Sequence, residues 1–500
     1  MKPPNPSLWI ATTDPTSYPP LQKGTHVDVA VVGGGIAGLS AAHLLKSAGK
    51  SVAVIESKRI LHGVTGYTTA KVTAGHGLIY SEIEGKHGAE AARTYAESQT
   101  AAMELIRATV EEHAIDCDLD EAVNYVYTTD ASQVDKVRNE VQAERDAGLD
   151  ASFATDTPLP YEVRGAVRLD GQSQFHPRKY LLALARMIPG GGSHVFEETV
   201  VTDVSDGEPC TVTTSLGTMT AADVIIATHM PVFDRGLYFA RVHPTRSYAV
   251  AGKIARTKAP AGMFISVDEP MRSLRLARYK TGHVLIIGGE HHRPGEVQDT
   301  TRFYEGLEDF GRRHFGVQDF LFRWSTQDNY SVDLVPYTGR LTRSSDHLYT
   351  TTGYGGWGMT NGTLGGMILS DLILGRDNPW AYLYDSSRIK PAESASTFIQ
   401  ENAKVAAHWV GDRIRSKPPL DALAPGTGAV VKSNGRTIGA YRDEAGKLSC
   451  VSAVCTHLGC IVGFNDAEKS WDCPCHGSRF ALDGRVIQGP ATKDLEAIDP

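Results

Sequence analysis

Two short segments near the C-terminus hold the densest metal-binding chemistry in this chain. Cys455-Thr456-His457-Leu458-Gly459-Cys460 is separated by twelve residues from Cys473-Pro474-Cys475-His476-Gly477-Ser478. Thiolates and neutral imidazoles offered from two loops suit a borderline or soft transition metal, and both a zinc ion and an iron–sulfur cluster draw on that donor set. Five of the seven cysteines (Cys450, Cys455, Cys460, Cys473, Cys475) lie in the last fifty-one residues, while Cys117 and Cys210 stand apart and read as ordinary thiols. In a reducing compartment, clustered cysteines point to metal ahead of structural disulfides.

A second chemistry-bearing stretch spans residues 27–56, VDVAVVGGGIAGLSAAHLLKSAGKSVAVIE. An apolar strand over 27–32 turns through Gly33, Gly35 and Gly38 into a helix over 39–48, and a second strand, 51–55, ends at Glu56. This is a βαβ unit with the G-x-G-x-x-G turn of a dinucleotide site. Gly33 permits the turn, Gly35 lets backbone approach a pyrophosphate, and Gly38 lets the helix pack close to the strand. The helix N-terminus supplies N–H donors and partial positive charge for phosphates. Glu56, eighteen residues beyond Gly38, is placed to accept a hydrogen bond from an adenosine ribose. The stretch alone leaves FAD and a nicotinamide both open.

The elements that must position these residues follow from periodicity. A glycine- and threonine-rich loop, 63–73, suits close approach to a cofactor. Helices are expected over 88–115, 131–147 and 178–187, the first with Ala92, Tyr95, Ala96, Met103, Ile106 and Val110 at helical spacing. Strands are expected over 123–128, 165–169 and 223–228, with short strands in 193–204 and 210–215. Residues 246–253, 263–267, 273–279 and 283–288 read as strands between Gly and Pro turns, a candidate antiparallel sheet and a common place for a substrate pocket, interrupted by a helix over 301–315. The first theme returns over 348–375: a strand, a glycine-rich turn 353–360, and a helix. Residues 386–420 read as a linker with one amphipathic helix over 394–414, and after Pro425 only short strands and turns follow.

Composition excludes several classes. Five hundred residues exceed one core, so two or three domains are expected. A net charge of −8 without a basic run argues against a nucleic-acid partner, and no apolar stretch approaches the length of a membrane span. The Pro-rich residues 1–21 lack the basic-then-apolar layout of a signal peptide and a twin-arginine pair, so a cytoplasmic protein is expected.

The first 385 residues resemble the D-amino-acid-oxidase-like flavoproteins, the group that includes glycine oxidase. The resemblance is carried by GGGIAGLSAA, Glu56, GVTGYTTAKVT, DVIIATH, Asp333 with Pro336 and Gly339, and GYGGWGMTNGTLGG. It implies FAD as the dinucleotide. Gly33, Gly35, Ile36, Ala37, Gly38 and Glu56 would hold its ADP half, and Thr65, Gly66, Thr69 and Ala70 would lie near the pyrophosphate or isoalloxazine. Val200 or Val201 would flank the adenine, Thr228 would close the strand that returns to the cofactor, and Gly356, Trp357, Gly358, Met359 and Thr360 would lie near the flavin ring and ribityl chain. The implied reaction is oxidation of an amine, amino acid or hydroxy compound by hydride transfer to the flavin. The substrate contacts do not carry over. Arg246, Tyr248, Arg275 and Tyr279 have the chemistry of a carboxylate clamp, and the segment Trp324-Ser325-Thr326-Gln327-Asp328, with Gln327 as a site candidate, is expected to line the pocket.

The C-terminal loops resemble a Rieske centre, in which two cysteines hold one iron and two histidines the other. By that resemblance Cys455 and Cys473 ligate one iron and His457 and His476 the second. Cys460 and Cys475 form the disulfide found in the Rieske proteins of respiratory and photosynthetic complexes, Ser478 donates to a cluster sulfur, and 489–492 is the proline loop over the cluster. The expected architecture is an α/β Rossmann-type FAD-binding domain with an antiparallel β-sheet substrate domain (α+β) over 1–385, a linker over 386–420, and a small all-β Rieske domain over 421–500. FAD-binding parts fall at about 25–80, 150–240 and 330–385, and the substrate-side sheet at about 241–330. FAD takes electrons in pairs and a [2Fe–2S] cluster moves them singly. The leading expectation is therefore a flavin that splits a pair for a one-electron relay to an external acceptor, a protein or quinone-like partner. Reverse flow, or a Rieske module that only docks onto a plain oxidase, are the alternatives. Phe480 stands where many high-potential Rieske proteins have tyrosine, which removes a hydroxyl donor. The midpoint potential is expected below that of the respiratory proteins, within a class range of roughly −150 to +300 mV, and a redox titration returning the top of that range would contradict this.

Overall fold

A computed structural model describes residues 6–233, 235–388, 391–414 and 417–499; the expectations for residues 1–5 and for 389–390 and 415–416 of the linker lie outside them. His26–Val32 is apolar and almost wholly buried, so it needs strands on both sides, and it takes parallel partners in Val52–Ile55 and Gly217–Ile226. The sheet order is Tyr337–Arg340, Leu348–Thr352, Gly217–Ile226, His26–Val32, Val52–Ile55, His194–Phe196, with Val201–Ser205 and Cys210–Thr214 attached through Gly217–Ile226. Leu348–Thr352 runs parallel to Gly217–Ile226. The early and late glycine turns therefore leave the same, carboxyl, end of the sheet, where ligands bind in open α/β folds. Their helices, Ile36–Ser47 and Gly358–Ile373, pack at glycine distance: a Cβ on Gly362 would fall 2.7 Å from Ile36 Cγ2, and one on Gly366 2.8 Å from the Ala41 nitrogen.

The second sheet runs Phe320–Ser331, Val242–Ile254, Gly282–His292, Arg272–Tyr279, Met263–Ser266, Asp120–Thr128, Gly165–Gln174, Lys71–Val72. It is mixed rather than purely antiparallel, because Met263–Ser266 pairs parallel with Asp120–Thr128. It also recruits strands from outside 241–330. Gly165–Gln174 continues past Leu169 through polar residues that pair with Asp120–Ala122 on one side and Lys71–Val72 on the other, while Ala151–Ala154 pairs with its first half. Helix Thr301–Phe315 covers this sheet and ends in Gly316 at φ +66°.

Pro391–Ile414 is helical and leads to two small antiparallel sheets, of three and four strands, packed around fully buried Trp471. This C-terminal β part rests on the second sheet and its helix. Asp466 accepts from the Thr300 nitrogen at 2.7 Å, Glu468 from the Tyr304 hydroxyl at 2.6 Å, and the Pro474 carbonyl from Arg293 at 3.0 Å. The Pro-rich N-terminal stretch contains a short helix, Leu8–Ala11, with Leu8 and Trp9 buried.

Asp333 of the D-x-x-P motif is 2% exposed and receives two Arg388 hydrogen bonds of 2.8 Å each. Burial alone would raise its pKa, but the guanidinium outweighs it and the net shift is downward. The pair's contribution is therefore present above the ordinary carboxylate pKa and is lost as pH falls through the depressed one. Arg388→Ala leaves a buried unpaired carboxylate and is expected to cost about 3–5 kcal/mol, visible as a lower thermal unfolding midpoint; a midpoint equal to wild type would refute this.

Candidate cofactor cavity and metal centre

The early glycine turn, the loop 63–73, the end of Gly217–Ile226, the late glycine turn and the second sheet close around one cavity of about 460 Å³. Its phosphate-facing end tolerates no side chains. Gly33 has φ +112°, a Cβ there would lie 2.4 Å from the Ala227 carbonyl oxygen, and one on Gly38 would lie 2.0 Å from that of Gly33. Helix Ile36–Ser47 starts from Gly35 without a side-chain cap, and Gly35, Ile36 and Ala37 line the cavity with the helix's positive end. Glu56 Oε2 accepts from the Gly34 nitrogen at 3.0 Å, which fixes the carboxylate at the second strand's end. These features fit the ADP half of FAD.

Of the expected cofactor residues, Gly33, Gly35, Ile36, Ala37, Glu56, Thr65, Thr69, Val201, Thr228, Gly356, Trp357, Gly358 and Met359 line the cavity. Gly38, Gly66, Ala70 and Thr360 do not; they support it from behind. Thr360 lies 3.2 Å from His76, whose ring stacks on Trp357 at 4.6 Å. Trp9 donates to the Thr68 carbonyl at 2.7 Å and Trp324 to that of Tyr67 at 2.9 Å, so two distant tryptophans fix the loop 63–73.

The candidate carboxylate clamp does not assemble. Arg275 is buried and donates to the carbonyls of Thr69, Ala70 and Phe175 at 3.0, 2.6 and 3.1 Å, holding Ala70 at φ +60°. Arg246 donates to Ser325 and lies 3.7 Å from Glu468. Tyr248 borders the cavity, but its hydroxyl meets His292 at 3.0 Å, and Tyr279 packs on Phe322 away from the cavity. Gln327 faces the C-terminal β part, where a Cβ on Gly477 would lie 2.2 Å from its Nε2. Strand alternation explains this. In Phe320–Ser331, Thr326, Asp328 and Tyr330 face the cavity, and Gln327 points the other way.

The cavity also contains titratable groups to which the sequence alone assigned no individual role. Lys71 is buried and donates to the Phe264 carbonyl at 2.6 Å, and burial with Arg275 nearby lowers it to about 7. Burial pushes His229 and His291 down to about 4 and Asp328 up to about 6. The far wall comes from the C-terminal β part: Val486, Ile487, Gln488, Gly489, Ala491, Thr492 and Asp494. Lys58 donates to the carbonyls of Val486 at 3.0 Å and Ile487 at 2.8 Å, and the buried Gln488 Nε2 has no protein partner.

The two cysteine–histidine loops are built alike. Gly459 donates to the Cys455 carbonyl and Gly477 to that of Cys473, each at 3.0 Å, so each loop is a turn that presents its side chains to the other. Interaction between the Cys455 and Cys473 thiols lowers Cys455 to about 7 and raises Cys473. The His457 and His476 rings meet edge to face at 5.0 Å. His476 is 3% exposed, and neither ring nitrogen has a protein partner. Cys460 and Cys475 form a disulfide. The sulfurs of Cys460, Cys473 and Cys475 also converge, but two of them are bonded to each other and withdrawn from ligation. Two thiols and two imidazoles, with both His476 ring nitrogens lacking a protein partner, fit a [2Fe–2S] centre of mixed ligation. Ser478 Oγ accepts from the Ala491 nitrogen at 3.0 Å, and its hydroxyl contributes to the lowering of Cys455.

Comparison with known proteins agrees with this geometry. Residues 28–372 match the FAD dependent oxidoreductase family, and residues 418–499 match the Rieske [2Fe-2S] domain. The chain is 38% identical over 497 residues to YhfW of Bacillus subtilis (strain 168), by name a Rieske 2Fe-2S iron-sulfur protein, covering 99% of this chain and 97% of that one. It is 25% identical over 382 residues to gamma-glutamylputrescine oxidoreductase of Escherichia coli (strain K12), covering 71% of this chain and 85% of that one. Glycine oxidase from Geobacillus kaustophilus shares the fold, with a TM-score of 0.61 at 18% identity over 73% of this chain and 100% of that one. Gly38→Ala places a methyl group against backbone and is expected to yield protein with little bound flavin, read as flavin absorbance per chain; full flavin content in this variant would contradict the assignment of the turn.

Proposed function

The chain belongs to the FAD-dependent oxidoreductases and carries a Rieske [2Fe–2S] domain, and from that membership we propose that it oxidises a small amine, amino-acid or hydroxy substrate and relays the electrons singly to an external acceptor. FAD, when bound, supplies a two-electron acceptor and the cluster a one-electron carrier. Gly33, Gly35 and Glu56 would hold the ADP half, the turn 355–359 would lie near the flavin, and Cys455, Cys473, His457 and His476 would hold the cluster. The family's range includes a relative whose name gives gamma-glutamylputrescine as its substrate, which favours an amine. Among the described residues no helix is long and apolar enough to cross a membrane, and we place the protein in the cytoplasm.

One observation supports the relay: the strand Phe320–Ser331 has the cavity on one face and the second cysteine–histidine loop on the other. Thr326, Asp328 and Tyr330 of Phe320–Ser331 line the cavity. On the strand's other face, Gln327 touches Gly477, the residue after His476. Pro244 of the neighbouring strand also meets Gly477, at 2.8 Å from a built Cβ, and the Phe239 ring lies 5.7 Å from that of His476. These contacts seat the His476 loop directly against the strands that wall the cavity.

Anaerobic addition of a turnover amine, with no other reductant, is expected to bleach the flavin and then produce the Rieske EPR signal. In Cys455→Ser the bleaching should persist and the signal disappear. A flavin that is fully reduced while an intact cluster stays oxidised would rule the relay out.

A further inference from the structure

We propose that the cavity recognises its substrate as a cation, with Asp328 holding an alkylammonium group, and that it offers no seat for a free carboxylate beside that group. The proposal rests on the oxidoreductase reading above and narrows its substrate class to amines without a carboxylate at the reacting end. Among the described residues no arginine lines the cavity. The two lysines that do are committed to backbone carbonyls, Lys58 to Val486 and Ile487, and Lys71 to Phe264. His229 and His291 are desolvated and held neutral at neutral pH. The arginines best suited to grip a carboxylate, Arg246 and Arg275, are spent on Ser325 and Glu468 and on loop carbonyls.

The acids divide differently. Glu56 is held by the Gly34 nitrogen and Ser57, and Asp494 by the Val486 nitrogen. Asp328, enclosed and facing the cavity, has no hydrogen-bond or ion-pair partner among the described residues. It lies beside the late glycine turn: a Cβ on Gly356 would sit 3.5 Å from the Tyr330 hydroxyl and 4.0 Å from Asp328 Cγ. Tyr330 and Trp357 line the same space. A carboxylate, a phenol oxygen and aromatic rings are the groups an ammonium satisfies, the first by a charge-assisted hydrogen bond and the rings by cation–π attraction. A substrate carboxylate in that position would instead meet a like charge in a poorly hydrated site.

The test uses the full-length holoenzyme and two isosteric probes, tert-butylammonium and pivalate. The first has no hydrogen on the carbon bearing nitrogen, so it binds without turnover. Titration by flavin difference spectra and calorimetry is expected to show tert-butylammonium binding roughly tenfold or more tightly than pivalate. Asp328→Asn should weaken it by roughly tenfold or more, the scale of one lost charge-assisted hydrogen bond, with flavin content and thermal midpoint unchanged. Asp328→Glu should retain part of the binding. Pivalate binding as tightly as tert-butylammonium, unchanged affinity in Asp328→Asn, or no tert-butylammonium binding to wild type would overturn the proposal. The oxidoreductase reading fails separately, if oxidisable amines bind but never reduce the flavin.

Discussion

Successive side chains of a β-strand point to opposite faces, and Phe320–Ser331 serves two sites on that account. One face gives Thr326, Asp328 and Tyr330 to the flavin cavity, and the other gives Ser325 and Gln327 to the junction with the Rieske part. A wall thicker than one strand would separate the centres further, and a flexible one would admit water. Rigidity comes from Val242–Ile254, which pairs with this strand along nearly its whole length and brings Arg246 opposite Gln327.

The junction is polar where a permanent interface would ordinarily be apolar. Arg246 lies near Glu468, Glu468 also accepts from Tyr304, and the largely buried Arg293 donates to the Pro474 carbonyl at 3.0 Å. Such groups gain little net stability, because desolvation offsets most of the Coulomb attraction. Their effect is geometric, since any slip of the Rieske part would strand a buried charge. The close contacts at Gly295, Gly463 and Gly477, where a Cβ would fall 2.3, 2.2 and 2.2 Å from neighbouring atoms, fix the same seating sterically.

What could be read from the sequence follows from how local each signal is. The βαβ unit was legible because strand, turn, helix and acid lie within thirty residues, and helix Thr301–Phe315 because its apolar stripe and terminal Gly316 are contiguous. The cysteine–histidine loops were legible because ligand spacing is a local property. Strand facing was not. Gln327 and Asp328 differ by one position, and only the sheet's register shows that the carboxylate, not the amide, enters the cavity. Arg246 and Arg275 looked like substrate ligands because their alternative partners, Glu468 and the carbonyls of Thr69 and Ala70, lie some two hundred residues away. The same distance hid the Rieske wall of the cavity, and the Pro-rich opening gave no sign that Trp9 would anchor the loop 63–73.

That hidden wall bears on why the two redox parts share one chain. Val486, Ile487 and Gln488 close the cavity on the Rieske side, and Lys58, two residues beyond Glu56, donates to the carbonyls of Val486 and Ile487. The Glu56 end of the cavity is thus completed by the Rieske part. Separate proteins would have to exclude water from this surface at every encounter, losing translational and rotational freedom each time. In one chain the surface is closed when the protein folds, and closure of the cofactor cavity and the seating of the cysteine–histidine loops become consequences of the same packing.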